Sequence, residues 1–417
     1  MARIPLSDSL TDSAVDGRSS TAFAVYATGL MTFMAASSAP TPLYRLYQSN
    51  WGVTPALMTV VFAVYAVSLL VALLTVGSLS DYLGRRSVIL ASLLLEVAAI
   101  VIFLVADDVA VLILARIVQG FATGSATGAL GAGLADLNGR LAPVINSVSP
   151  VAGLGAGALG SAALVQFGPS PLRLIYMVLL AVLVLLVIAT ALSAPRGRKT
   201  VGALASLRPR LNVPAAARAP MLAAAPALIA VWALGGFFFS LGPSLAADVT
   251  GSSSALTGGW TVFALTVTGS IAVLLLRSFN AAAVLRTGTV ALAVGVAVSL
   301  VGTNIGSGWL FFAGTAIAGI GFGAGFQGAM RNVLPQAKPD QRADLLATFY
   351  VISYLATSVP AVAAGIAVPL LGIRMTATAY STVVILLSLA ALVGTLIPRK
   401  EPTAGTAVIP AGDVAAH

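Results

Sequence analysis

Long apolar runs separated by short charged segments dominate the hydrophobic pattern of this chain. Each run is about 20 residues long, the length that an α-helix needs to cross a hydrocarbon core. Strands of a transmembrane barrel would instead alternate over segments of about ten residues. The runs lie at 21–43, 55–77, 87–105, 109–134, 142–166, 172–193, 219–246, 255–276, 288–305, 308–333, 343–368 and 374–397. The pattern therefore predicts an all-α polytopic membrane protein with twelve transmembrane helices.

A basic segment divides the twelve runs into two groups of six. Its cationic residues, with no acid among them, are Arg196, Arg198, Lys199, Arg208, Arg210 and Arg218. The predicted organisation is a polar tail at 1–20, a six-helix bundle at 21–193, a linker at 194–218, a second bundle at 219–397 and a tail at 398–417. Proline near the end of the first run of each group, and glycine in both fourth runs, suggest an internal repeat. Repeats of this kind are typical of secondary transporters, although chance similarity of apolar helices is the alternative.

Composition and charge narrow the class further. Only 8% of the residues are charged, against about 25% in soluble domains, which excludes soluble enzymes and nucleic-acid binders. The net charge of +9 has an explanation without nucleic acid, because membrane proteins concentrate Lys and Arg on the cytoplasmic side. With both termini inside, only Arg45, Arg173 and Arg374 fall outside and Arg116 within the membrane. We therefore expect a multi-pass protein of a bacterial inner membrane with cytoplasmic termini.

The sequence lacks the residues needed for metal binding, histidine proton relays and nucleotide chemistry. The chain has no cysteine, and its one histidine is His417, so we expect no metal site and no histidine proton relay. No P-loop occurs, so ATP hydrolysis has no support. The glycine-rich stretch 319–325 lies inside an apolar run without a preceding strand, which favours helix packing over dinucleotide binding. We predict no cofactor and no enzymatic activity, and a driving force from an ion gradient or from the solute's own gradient.

One loop carries the most specific motif. Between the second and third runs the chain reads GSLSDYLGRR, which follows the pattern GxLxDxxGRR. Its glycines and charged residues are Gly77, Asp81, Gly84, Arg85 and Arg86. This string resembles the signature loop of the major facilitator superfamily, and the number of helices and the central linker agree with that resemblance. The resemblance implies that Asp81 and Arg85 belong to a charge network between the two halves that changes with the access state.

A second motif lies in the fourth run, where Arg116, Gln119 and Gly120 belong to the string RIVQG. Polar residues and glycines continue on the same helix face to residue 128, and such a face is too polar for lipid. The string is similar to the fourth-helix motif RxxQG of the superfamily, whose arginine lies near solute and proton sites. An arginine inside a membrane is costly and is commonly functional. The alternative is a structural arginine bonded to backbone carbonyls.

Glu96 is the one acidic residue inside a predicted span. Glu96 and Arg116 lie about ten residues, or about 15 Å, from the turn between the third and fourth helices. We therefore expect both side chains at one depth near the midplane, as an ion pair or as a pair coupled through protonation. The alternative is that Glu96 stays protonated or bonds to another helix. Since burial favours the neutral form of a carboxyl group, Glu96 is the best candidate for a coupling proton.

The fifth run bears on the branch of the superfamily. Proton-coupled drug antiporters carry a Gly-Pro motif there, and Gly153, Gly157 and Gly160 resemble it, but Ala158 stands where proline is expected. The resemblance favours proton-coupled efflux of an apolar or amphiphilic compound by alternating access. The alternatives are an importer, or a sugar or metabolite exporter, of the same fold. A polytopic enzyme or a receptor without transport would need a catalytic constellation that the sequence lacks.

Residues with polar, aromatic or methionine side chains in the first, seventh, tenth and eleventh runs suit an adaptable apolar cavity. We expect a small-molecule solute and protons as partners, in a monomer within the lipid bilayer. The candidate cavity residues are Tyr26, Met34, Ser37, Trp232, Phe238, Gln327, Tyr350 and Tyr354. Most aromatic residues in such helices only pack against neighbours or lipid.

Overall fold

The computed structural model describes residues 7–195, 200, 202–203, 207, 211–338 and 341–396, with side chains from Ser19 onward. The α-helices in this part of the chain are α1 Ser7–Ser38, α2 Tyr44–Trp51, α3 Pro55–Val76, α4 Leu79–Leu83, α5 Arg85–Val105, α6 Val109–Leu137, α7 Ala142–Phe167, α8 Leu174–Ser193, α9 Ala215–Ser240, α10 Gly242–Thr250, α11 Ala255–Leu275, α12 Ala281–Ile305, α13 Gly308–Val333, α14 Arg342–Leu371 and α15 Ile373–Leu396. Twelve segments are long and apolar enough to cross a membrane. The all-α prediction with twelve spans is confirmed.

Two predicted boundaries need comment. Helix α1 begins at Ser7, inside the predicted polar tail at 1–20. Most of the predicted linker and the predicted tail at 398–417 lie outside the described residues. Below, the first half is α1–α8 and the second half is α9–α15. The linker end of each half is the end at which α8 leads into the linker and α9 leaves it. The opposite end is called the far end.

The first long helix of each half is broken near the far end. Helix α1 stops at Ser38, a single 3₁₀ turn follows at Thr41–Leu43, and α2 begins at Tyr44. In the second half α9 stops at Ser240 and α10 begins at Gly242. Proline lacks the amide hydrogen that a continuing helix needs, and both breaks contain it. Helix α10 begins inside the run predicted at 219–246, whereas α2 lies beyond the end of the run predicted at 21–43.

Glycines let the long helices pack backbone to backbone. A Cβ atom at Gly120 of α6 would lie 2.3 Å from the carbonyl oxygen of Tyr65 in α3. In the second half, a Cβ atom at Gly323 of α13 would lie 2.2 Å from the carbonyl oxygen of Gly269 in α11. Small residues of this kind allow close helix contact inside a bilayer. Both halves therefore use the same packing device.

The halves meet through α3 with α14 and through α7 with α11. At the far end, the Oε1 atom of Gln166 accepts hydrogen bonds from Ser254 Oγ at 3.0 Å and from the Ala255 amide at 3.3 Å. A Cβ atom at Gly365 would lie 2.0 Å from Oγ1 of Thr59, so α14 lies directly on α3 there. These contacts close the seam between the halves at the far end.

Candidate functional site

Arg116 is the centre of a polar network inside the first half. The side chain is fully buried. Its Nη1 atom donates to the Ser37 carbonyl oxygen at 2.9 Å and to Gln119 Oε1 at 2.7 Å, and its Nη2 atom donates to the Tyr44 hydroxyl. The Nε atom has no acceptor. The guanidinium group is thus held by neutral oxygen atoms of α1, of α2 and of its own helix α6.

The break after α1 explains why backbone oxygens are free for this network. The last carbonyl groups of a helix lack partners within the helix, and Pro40 cannot donate to the carbonyl oxygen of Ala36. Gln119 Nε2 donates to that oxygen at 3.0 Å, and Arg116 donates to the oxygen of Ser37. The structure therefore supports the alternative in which Arg116 is bonded to a backbone carbonyl oxygen.

Glu96 belongs to the same network, but not through a direct ion pair. Gln119 Nε2 donates to Glu96 Oε1 at 3.1 Å, so one amide group bridges the carboxyl group and the guanidinium group. Among the ion pairs of the described residues, Arg116 with Glu96 does not occur. The expected direct ion pair between Glu96 and Arg116 is therefore corrected to a bridged arrangement, because the Gln119 amide lies between the two side chains. Glu96 Oε2 is buried without a partner.

Glu96 and Arg116 lie at similar depth inside the bundle, as the sequence predicts. Glu96 is nine residues before the end of α5, and Arg116 is seven residues after the start of α6. At the helical rise these counts correspond to about 14 Å and about 11 Å along the axes. The two depths differ by about 3 Å, and Glu96 lies near the middle of α5.

Three aromatic rings surround the guanidinium group. Its Cζ atom lies 5.1 Å from the ring centre of Tyr65 and 5.8 Å from the ring centres of Tyr44 and Phe103. Cations are stabilised over aromatic faces at such distances. Sequence reasoning missed all three rings. Tyr44 follows the Pro40–Pro42 break directly, and that position is the one signal that could have indicated it.

The signature loop forms a charge cluster at the linker end. Arg85 pairs with Asp81, with Nε donating to Asp136 Oδ2 at 3.1 Å and Nη1 to Ser80 Oγ at 2.7 Å. Gly84, between α4 and α5, has φ of 85°, a value that favours glycine. The Asp81 and Asp136 side chains are 56% and 61% exposed. Sequence reasoning missed Asp136, the acidic residue at the linker end of α6.

The other two signature residues anchor neighbouring helices. Arg86 Nη2 donates to the carbonyl oxygen of Ala191, near the end of α8. Gly77 lies against Gly128 of α6, where an added Cβ atom on Gly128 would lie 3.1 Å from the Gly77 carbonyl oxygen. The loop is therefore fixed to α6 and α8 of its own half.

The second half carries an aromatic cluster instead of buried charges. The Trp232 ring lies 5.5 Å from Phe326 and 5.2 Å from Tyr354, and Tyr354 lies 6.3 Å from Tyr350. These rings come from α9, α13 and α14. Tyr354 also packs against a small cluster of α3 in the other half, formed by Tyr65, Ala66 and Leu69. The indole Nε1 atom of Trp232 is buried and has no acceptor, so the cluster contains an unused hydrogen-bond donor. This four-ring set is called the aromatic cluster below.

The remaining cavity candidates are not brought together. Tyr26 packs on Gly133 and Met34 on Gly153, both inside the first half. The Ser37 hydroxyl donates to the carbonyl oxygen of Met34. Phe238 stacks on Phe311 in the core of the second half. Gln327 Nε2 donates to the carbonyl oxygen of Val273 in α11. The structure thus corrects the assignment of Tyr26 and Phe238 to a cavity. The Tyr26 ring is packed in the interior of the first half, and the Phe238 ring in the interior of the second half.

No group of three or more histidine, aspartate or glutamate side chains that could bind a metal ion occurs among the described residues.

A family model described as Major Facilitator Superfamily matches residues 22–280, which is more than half of the chain. The chain belongs to this superfamily. The signature-loop cluster and the Arg116 network are thus features of a superfamily transporter, which binds a small-molecule substrate within the membrane. Among solved structures, a crystal structure of a mutant of the nucleoside transporter NupG is similar, with a TM-score of 0.70 and 13% sequence identity. The match covers 90% of this chain and 99% of that one, and at this identity it shows the fold alone. No curated protein sequence matches this chain significantly.

Proposed function

We propose that this protein exports an apolar or amphiphilic compound by alternating access, driven by protons that bind at Glu96. The observation that carries the proposal is the state of this carboxyl group. Among the described residues, Glu96 is the one buried acidic side chain, and its Oε2 atom has no partner. A buried carboxyl group without a cationic partner can bind and release a proton in response to its surroundings.

The aromatic cluster is our candidate for the solute site. Cavities that accept apolar compounds are lined by aromatic groups with a few placed polar atoms. The cluster offers four ring faces and one free donor, Trp232 Nε1, and no charged side chain takes part in its ring contacts. A neutral solute with an apolar body and one acceptor oxygen or nitrogen would fit these groups.

The distribution of basic residues assigns the linker end to the cytoplasm. With that orientation, the closed seam at Gln166 and Ser254 faces the outside and the exposed Asp81 and Asp136 face the cytoplasm. A seam closed at the outside is the arrangement that loading of a cytoplasmic solute requires, and it supports the proposed export. A bacterial inner membrane is the location that this orientation supports.

The alternative is import on the same fold, and the nucleoside transporter among the similar structures gives that alternative one specific class of test compound. Geometry alone does not choose between the two directions, since an alternating-access carrier can run either way. The direction therefore has to be measured.

The decisive experiment uses purified full-length protein in liposomes with an imposed pH gradient of either sign. A panel of neutral amphiphilic compounds and nucleosides is tested for uptake and release, with empty liposomes as control. We expect an amphiphilic compound to move against proton flow and to quench the tryptophan fluorescence of wild-type protein. Movement in the same direction as protons, or flux that ignores the gradient, would contradict proton-coupled efflux.

A further inference from the structure

Tyr65 of α3 lies between the buried polar network and the seam that joins the halves. On one side its ring lies under the Arg116 guanidinium group, at 5.1 Å from Cζ. On the other side, Tyr65 forms a cluster with Ala66 and Leu69 against which Tyr354 of α14 packs. Tyr65 is 8% exposed. It is therefore a residue through which the network and the aromatic cluster are joined by continuous contact.

The network contains the parts of a second arrangement. In the present one, Arg116 Nε lacks an acceptor and Glu96 Oε2 lacks a donor, although both atoms are buried. Buried polar atoms are almost always paired, so one leftover donor and one leftover acceptor in the same network favour a change of partners. When Glu96 is ionised, its attraction for the guanidinium group is strong in a medium of low dielectric constant. Such a shift draws Arg116 away from the ring of Tyr65.

Helix α3 is not free to absorb that shift by moving away from α6. Ser68 Oγ donates to the carbonyl oxygen of Ile117 at 2.6 Å. Gly120 and Gly124 bring the backbone of α6 against the carbonyl oxygens of Tyr65 and Leu69. With these contacts fixed, a change at Arg116 reaches α14 through the side chain of Tyr65.

The seam next to Tyr65 also has an unused polar group. Ser358 lies one turn from Tyr354 on α14, and its hydroxyl group is buried without a partner. The opposing face of α14 therefore carries a group that the present packing leaves unpaired, as expected where a contact has two alternative arrangements.

We propose that Tyr65 is a positioning residue that couples the protonation of Glu96 to the contact between α3 and α14. This inference rests on the proposed proton coupling at Glu96. With Glu96 protonated, Arg116 stays on Tyr65 and the seam holds. When Glu96 releases its proton, Arg116 turns toward the carboxylate and the Tyr65 ring is no longer held against Tyr354. The proton goes to water on the side to which the bundle is then open. Several other charged and titratable groups face this region. They are Arg116 from α6, Tyr44 and Tyr47 from α2, Tyr65 from α3, Tyr176 from α8, and Tyr350 and Tyr354 from α14.

The chain contains no cysteine, so pairs of spin labels can be placed without background. One pair, at Asn50 and Leu370, reports on the far end, and another, at Ser147 and Ser278, reports on the linker end, all at exposed positions. Distances are measured in liposomes between pH 5 and pH 9, and proton-driven flux is measured in parallel. The variants are Tyr65→Leu, Tyr65→Phe and Tyr354→Leu. Phe62→Leu is the control, because it removes a ring of α3 that does not cover Arg116.

In wild-type protein we expect the ratio of the two distance populations to change with pH. Tyr65→Leu and Tyr354→Leu should reduce that change about tenfold. A factor of this size corresponds to the free energy of a buried cation–π contact. Tyr65→Phe keeps the ring face and should therefore show the wild-type change with pH. Phe62→Leu should show it as well. Tyr354→Leu tests the same link from the other half if Tyr65→Leu does not fold.

Four results would overturn the inference. A full pH response in both leucine variants at Tyr65 and Tyr354 shows that another contact carries the coupling. An equal loss in Phe62→Leu, or no restoration in Tyr65→Phe, shows that the ring only fills space. Wild-type protein that transports without proton coupling contradicts the proposed function itself, and is recognised by flux that ignores the pH gradient.

Discussion

The two halves are built alike and carry different chemistry. Both have a first helix broken near the far end and glycines that press long helices together. The first half buries Arg116 and Glu96, whereas the described part of the second half buries no charged side chain and holds the aromatic cluster instead. The shared packing supplies a symmetric frame for the rocking motion of repeats. Under the function proposed above, proton binding belongs to one half and solute contact to the other.

Removing the buried acid tests that division with the largest effect. We expect Glu96→Gln to reduce proton-driven accumulation of solute at least about tenfold, because an amide cannot bind a proton at this pH. Exchange of solute without net flux should persist, since the aromatic cluster is intact. The measurement is uptake into liposomes with and without a pH gradient. Asp107→Asn, which removes an exposed acid in the same hairpin, is the matched control and should leave accumulation unchanged.

The shared frame is tested by adding one methyl group in each half. Gly120→Ala and Gly323→Ala would place a Cβ atom 2.3 Å and 2.2 Å from a carbonyl oxygen of the neighbouring helix. Overpacking of this kind costs about 1–3 kcal/mol, so both variants should unfold at lower temperature in detergent. Gly160→Ala meets nothing within 4 Å and should match wild-type protein. Equal melting of all three variants would refute the backbone contact.

A conservative change in the aromatic cluster tests the second half alone. Trp232→Phe keeps a ring and removes the buried indole donor, whose hydrogen bond to a solute is worth about 0.5–1.5 kcal/mol. We expect binding to weaken about three- to tenfold, with no change in the pH dependence of transport. The control is Trp309→Phe, since Trp309 is 85% exposed. A pH profile that shifts in Trp232→Phe would break the proposed division of roles.

The smallest effect concerns the far-end seam. Gln166→Ala removes the two hydrogen bonds that join α7 to the start of α11. Because exposed hydrogen bonds contribute little, about 0.5–1 kcal/mol in total, the population closed at the far end should fall about two- to fivefold. Distances between spin labels at Asn50 and Leu370 measure this population. Gln48→Ala, at the same end within α2, should leave the distances unaltered.

The sequence predicts the frame well for a physical reason. A bilayer requires each span to be apolar and internally hydrogen-bonded, so run lengths alone indicate the twelve helices. Gly84 and the Asp81–Arg85 pair are local features, four residues apart or fewer, and short spacing suffices to predict them. Proline near the end of the first run of each half indicates where α1 and α9 end. It does not indicate that the short helices α2 and α10 follow.

The polar network was predicted only in outline. Counting residues from the turn places Glu96 and Arg116 at one depth, and the structure agrees with that. Counting gives no rotation of one helix against another, so it cannot show that Gln119 stands between them or that Tyr44 and Tyr65 close around the arginine. The same missing rotation explains why Tyr26 and Phe238 were assigned to a cavity when they belong to bundle cores.

The break in α1 has one further consequence. The open carbonyls at Ala36 and Ser37 lie at the negative pole of a helix dipole, and Gln119 and Arg116 bind there. A guanidinium group can thus reside in hydrocarbon with peptide oxygens as its solvation shell and no carboxylate counter-ion. The Glu96 carboxyl group is therefore not needed as a counter-ion for the arginine. In this arrangement the protonated acid can lose its proton without first breaking a buried salt bridge, because a proline two residues beyond the helix end leaves those carbonyl oxygens open to the arginine.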